Sequence, residues 1–130
     1  MIERARELIA LHDLQPHPEG GWYRQLFKSS ERVLRLADGA DRSALTTIYF
    51  LLVAGTESAP HVVKSDEVWH WYEGDALALI AGDERVLLDA DHRVHVVPAN
   101  VWQSAKPLGR YAFVGCTVGP GFEFDDFAMR

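Results

Sequence analysis

Between Gly55 and Asp75 the chain carries His61, Glu67 and His70 beside Trp69 and Trp71. Imidazole titrates near neutral pH, and with a carboxylate it forms the usual pairing for general acid–base chemistry. Histidine and glutamate are also ligands for zinc and iron. Indoles offer flat apolar faces on which a ring-shaped ligand can stack. Proton transfer and metal chemistry are therefore both open. Other chemistries lack their residues. Ser104 has no Gly-x-Ser-x-Gly context, so a serine hydrolase is not supported. Cys116, within Val114-Gly115-Cys116-Thr117-Val118, reads as a small buried hydrophobe rather than a nucleophile. No glycine-rich phosphate loop is present. His12, His92 and His95 read as surface or packing residues.

A scaffold of 130 residues must position these side chains, which is the size of one domain. Thirteen basic against nineteen acidic residues give a net charge of −6. With no basic run, binding to a nucleic-acid backbone is excluded. A single cysteine forbids an internal disulfide and fits a reducing compartment. The longest apolar run, Ile48 to Ala54, is far too short to cross a bilayer. The charged start, with Glu3, Arg4, Arg6 and Glu7, does not read as a signal peptide, so a cytoplasmic location is expected.

Ile2, Ala5, Leu8 and Ile9 fall on one helical face and predict a short helix over about 2–12. Pro16 and Pro18 then end any helical option. Beyond them the texture is β. Aromatic and β-branched segments run over Trp22–Lys28, Ala44–Val53, Val62–Tyr72, Ala76–Ile80, Arg85–Leu88, Val94–Val97 and Tyr111–Val118. Turn residues bound each of them, which predicts an all-β sandwich or barrel over about 20–128. Gly82-Asp83 is read as a two-residue hairpin turn. Phe122, Phe124 and Phe127, alternating with acids, are read as a structural closing segment.

The spacing from Gly55 through His61 and Glu67 to Gly74 resembles the first motif of the cupin superfamily: glycine, five residues, His-x-His, a glutamate, then a glycine. Val63 stands where the second histidine would be. Pro98-Ala99-Asn100-Val101-Trp102-Gln103 resembles the second motif, with Gln103 in place of its histidine. His17-Pro18-Glu19-Gly20-Gly21-Trp22-Tyr23, Thr47–Leu52, Ser65–His70 and Val118–Phe124 are similar to the subgroup called domain of unknown function 985, whose members are often labelled predicted sugar epimerases. The resemblance spans about residues 6–128. It implies one cupin domain: a jelly-roll barrel, or double-stranded β-helix, with a lumen site. It also implies a homodimer.

The resemblance implies three readings of the lumen. In the leading one, an isomerase or epimerase acts on a small polar or sugar-like molecule without a cofactor. His61 is then the base, Glu67 orients it or shares its proton, and Tyr49 or Tyr23 supplies a hydroxyl. The second is a metal-dependent dioxygenase or lyase, with a divalent transition metal on His61, Glu67 and Gln103. The third is a non-catalytic small-molecule binder. Trp69, Trp71 and Trp102 would wall the pocket, and Glu19 and Arg24 would reach its mouth. If Glu67 faces the lumen, strand alternation turns Trp69 and Trp71 inward and His70 outward. His70 joins the site only where a bulge resets the register.

Overall fold

The computed structural model describes all 130 residues. Helix α1 (Glu3–His12) is followed by β1 (Gln15–Pro16), β2 (Trp22–Lys28), β3 (Arg32–Leu34), β4 (Asp41–Ser43), β5 (Thr46–Val53), β6 (Ser58–Val63) and β7 (Asp66–Gly74). Then come β8 (Leu77–Ala81), β9 (Glu84–Leu88), β10 (Val94–Val97), β11 (Gln103–Pro107), β12 (Tyr111–Gly119), a 3-10 turn (Phe124–Asp126) and β13 (Phe127–Met129). No helix is long and apolar enough to cross a membrane.

Two antiparallel sheets face each other as a jelly roll. One has the order β1-β2-β5-β12-β7-β10 and the other β13-β6-β11-β8-β9. Strand alternation builds two cores from one sheet. On β5, Phe50 and Leu52 turn inward to the main core, with Trp69, Trp71, Leu79 and Val114. Leu51 and Val53 turn outward, where α1 covers them with Ala5 and Leu8. The helix is thus amphipathic because only one stripe meets the sheet. Asp13 caps it in the left-handed conformation at φ 51°. Arg4 fastens it to β7 through Glu73, at 2.8 and 3.0 Å.

The hairpin expected at Gly82-Asp83 is present, with Ala81 opposite Glu84 and Gly82 at φ 59°. The segment read as continuous over Val62–Tyr72 is two strands, broken between Val63 and Asp66. The polar strand β11 escaped the sequence reading because Lys106 and Pro107 carry no β signal. Pairing on both sides, with β6 and β8, holds it in the sheet regardless.

The C-terminal segment closes one end of the barrel. Strand β13 pairs with β6, Phe127 opposite Val63. Asp126 is buried and receives two guanidinium groups. Arg42 reaches it at 2.9 and 3.0 Å, and Arg35 at 2.9 and 3.1 Å. Arg35 also grips Asp38 and the Ser65 hydroxyl. Burial alone would raise the Asp126 pKa, but the Arg42 and Arg35 hydrogen bonds outweigh it and hold it below the usual carboxylate range. Its stabilising contribution is therefore present above the unfolded-state value and lost in acid. Replacing Asp126 by Asn leaves Arg42 without its carboxylate and Arg35 with that of Asp38 alone. It is expected to cost about 3–5 kcal/mol in urea unfolding at pH 7. A loss below about 1 kcal/mol would show that the clamp does not hold the closing segment.

Candidate functional site

Between the sheets, at the end closed by the C-terminal segment, lies a cavity of about 250 Å³. Its walls come from β2, β5, β6, β7 and β12, and its roof from Phe122, Phe124 and Phe127. The polar groups inside are concentrated on His17, Glu19, His61 and Glu67.

Glu19 reaches the interior because its loop crosses from β1 to the opposite sheet. Gly20, at φ 110°, lies so close to the Glu57 carbonyl that a Cβ would stand 2.1 Å from it. Only glycine can occupy that position. The Ala59 amide donates to the Glu19 carbonyl at 2.8 Å. The Ala59 carbonyl lies 2.8 Å from His61 Nδ1, so Nδ1 must be the protonated nitrogen. One residue, Ala59, thus holds both partners through its two flanking peptide groups. His61 Nε2 then faces Glu19 Oε2 at 3.1 Å.

Their protonation follows from their surroundings. Burial lowers the His61 pKa, opposed by the Ala59 carbonyl. Burial raises Glu19 well above its ordinary value, helped by the nearby charge of Glu67 and opposed by the Ser58 hydroxyl. Both shifts favour the neutral forms, in which the Glu19 carboxyl donates to His61 Nε2. His17 Nδ1 accepts the Glu19 amide at 3.1 Å. Burial, then the neighbouring His61, pushes the His17 pKa down to about 4.

Glu67 is set by β7. Gln103 Nε2 donates to its Oε1 at 3.0 Å. The Gln103 carbonyl in turn accepts the Trp69 indole N–H at 2.8 Å, which fixes which way the amide faces. Burial pushes the Glu67 pKa up to about 7, with the Cys116 thiol and Gln103 pulling the other way.

Of the expected site residues, the structure brings Glu19, Tyr23, His61 and Glu67 together on the cavity wall. Glu19 sits deep within it rather than at the mouth. Tyr23 packs edge-on against His17 at 4.6 Å. Gln103 stands behind Glu67 and steers it. The others are elsewhere. Tyr49 has the wrong parity on β5 and packs outside the barrel against His12 and Phe113. Arg24 also points outward, donating to the His12 carbonyl at 3.2 Å. His70 faces away between Gly115 and Val94, because the bulge on β7 falls at Tyr72, beyond it. Trp69 is fully buried behind the site. Trp71 binds the Asp75 carbonyl at 3.0 Å, and Trp102 packs under Arg130 at 4.2 Å. The aromatic wall is phenylalanine, from the closing segment read as purely structural. His17 and Lys28 were also missed. His17 lies in the His17–Gly21 motif, whose type alone flagged it.

The donor set does not fit the transition metal of the second reading. His61 Nε2 is engaged with Glu19, and Gln103 turns its N–H₂, a donor, toward Glu67. Val63 offers no ligand. No cluster of three histidine, cysteine or acidic side chains is arranged to hold an ion.

The family described as "Cupin superfamily (DUF985)" matches residues 6–130. A hypothetical protein from Leishmania major is 31% identical and superposes with a TM-score of 0.90, over 97% of this chain and 86% of that one. A protein from Shewanella oneidensis is 29% identical at a TM-score of 0.83, over 97% and 84%. A cupin-2 domain protein from Rhodospirillum rubrum, 15% identical, shares the fold at a TM-score of 0.68, over 91% and 74%. Among curated proteins, none matches this chain.

The buried carboxyl makes folding sensitive to pH. Glu67 moves from an ordinary 4.5 to about 7 in the fold. Its contribution is therefore fully present below pH 4.5 and lost as pH rises through 7. His17, lowered from 6.5 to about 4, works oppositely: its contribution is present above 6.5 and lost as pH falls through 4. Relative to the wild type, Glu67→Gln is expected to gain thermal stability between pH 4.5 and about 7 and to level off above it. A Tm difference that stays flat across that range in differential scanning calorimetry would contradict the buried, proton-binding Glu67.

Proposed function

The chain belongs to the DUF985 family of the cupin superfamily, and from that premise we propose that it is an acid–base enzyme of the isomerase or epimerase type, acting on a small polar, sugar-sized molecule. The observation that carries this is the Glu19–His61 pair, 3.1 Å apart, on the same cavity wall as Glu67. Two proton-exchanging sites in one small cavity are what removal and return of a substrate proton require. Uptake of a substrate proton turns the neutral pair into an imidazolium beside a carboxylic acid, one positive charge next to the substrate anion it has formed. Glu67, near 7, can give or accept one at neutral pH. A cavity of about 250 Å³ lies just below the range of drug-sized sites and suits a single ring. The phenylalanine roof gives that ring an apolar face while excluding water.

In this reading the chemistry runs on side chains, because the cupin ligand positions hold Val63 and an amide turned the wrong way. The test is proton exchange in D₂O, followed by NMR over a panel of aldoses, ketoses, sugar acids and sugar phosphates. Deuterium wash-in at a carbon beside a carbonyl or carboxyl group is expected, insensitive to EDTA. His61→Asn should lower the rate by about 10²–10⁴, and Glu67→Gln should remove the pH limb near 7. Ligand-induced thermal stabilisation with no exchange on any compound would instead make the protein a binder.

The reading also takes the protein as a homodimer. Outside β7 and β10, Tyr72, Val94 and Val96 stand about half-exposed on one face. Pairing of two copies would cover it. Sedimentation velocity should show a dimer at micromolar concentration that Val96→Lys converts to monomer. A wild-type monomer at that concentration would exclude it.

A further inference from the structure

Strand β2 departs from simple alternation at one point. Gln25 stands opposite Ile48 and Phe27 opposite Thr47, so two residues of β2 span one step of β5. Leu26 is the extra residue of a β-bulge. Without it, alternation from Tyr23 and Gln25 would turn Phe27 into the cavity and Lys28 out to solvent. With it, Lys28 pairs with Thr46 and joins Tyr23 and Gln25 on the cavity wall. Leu26 and Phe27 are left 45% and 53% exposed. An exposed phenylalanine and an inward lysine invert the ordinary preference, and bulges beside functional sites commonly re-aim a side chain in this way.

Lys28 is the one ammonium or guanidinium group on the cavity wall. Its Nζ meets the Glu123 carboxylate of the roof at 2.8 Å, with both side chains 40–45% exposed. The pair therefore sits at the open end of the cavity, away from the buried Glu19 and His61. An ion pair this exposed is weak, so another anion can replace Glu123 on Lys28 at little cost.

We infer that Lys28 is a specificity residue that receives an anionic group, carboxylate or phosphate, at one end of the ligand, with Glu123 as the built-in competitor that it displaces. This rests on the proposed acid–base reading and narrows its substrate class to small sugar acids or sugar phosphates. The ring then lies under the phenylalanines, with its far end at Glu19, His61 and Glu67. The deeper polar groups fit such a ligand: Glu19 and His61 form a neutral pair and add little repulsion toward an anion.

Binding calorimetry on the intact protein at pH 6 tests this with three matched probes: glucose, glucuronate and glucose 6-phosphate. At least one anionic probe should bind at least tenfold more tightly than glucose. Lys28→Met should remove that advantage, a loss of about tenfold or more, while leaving glucose and the Tm unchanged. Lys28→Arg should retain it. Glu123→Gln should tighten the anionic probe by up to roughly fivefold, a gain that damage to the fold cannot mimic. Which anion responds distinguishes carboxylate from phosphate. Equal binding of neutral and anionic probes, no binding of any probe, or an anionic preference that survives Lys28→Met overturns the inference. These readouts are affinities. They can therefore fail while deuterium exchange at His61 is seen, or succeed while it is not.

Discussion

Two histidine and two carboxyl side chains, those of His17, His61, Glu19 and Glu67, are buried against a cavity with little water to solvate charge, and the arrangement around them keeps its interior close to neutral. An isolated buried ion costs several kcal/mol, so each group must be neutral or share its proton. His61 shows how the backbone enforces this. The Ala59 carbonyl accepts the Nδ1 hydrogen bond, so in the neutral ring that burial favours Nε2 is an acceptor. Glu19 must then arrive as a donor, which means as a carboxylic acid. Its arrival depends on the loop crossing to β6, and the crossing depends on Gly20 lying against the Glu57 carbonyl. A conformational requirement at one glycine thus decides where a proton sits two side chains away.

Glu67 is balanced differently. Burial disfavours its charge, while Gln103 and Cys116 favour it, and the result lies near 7. That balance requires Gln103 to present nitrogen rather than oxygen. Trp69 supplies the reason, since its fully buried indole N–H needs an acceptor and the Gln103 carbonyl is the one at 2.8 Å. A tryptophan that never touches the cavity therefore helps set the proton affinity of a carboxyl that lines it. The changes from the cupin motif at 63 and 103 act together, replacing ligands by one apolar wall residue and one relay.

The fold was legible because alternation and turn residues are local signals, and family spacing supplied the topology. The buried pair was only half legible. His61 and Glu67 share a short motif, but Glu19 lies 42 positions before His61, and nothing local shows that a Gly-Gly turn carries it across the barrel. Tyr49 and Arg24 were misplaced for want of parity. Each strand has two faces, and the sequence does not say which one the lumen takes when α1 makes both faces of β5 apolar. The tryptophans misled for a related reason: large rings fill a small barrel's core before they line its pocket. Lys28 was hidden because a bulge leaves no mark in composition and appears only as a slip in pairing.

The roof over the cavity is fixed unequally. Phe127 enters a ladder with β6, and Asp126 beside it is buried under two guanidinium groups. Glu123, three residues earlier, has one side-chain partner, the exposed Lys28, while its carbonyl accepts the Asp126 amide. The first attachment combines strand pairing with a buried, multiply hydrogen-bonded ion network, whereas the second is worth at most about 1 kcal/mol. The weaker side-chain attachment thus lies beside Lys28 and the stronger one beside Phe127, whose ring centroid is 5.4 Å from that of His61. The exposed ion pair and the network that anchors the aromatic cover over His61 are different residues of one short segment.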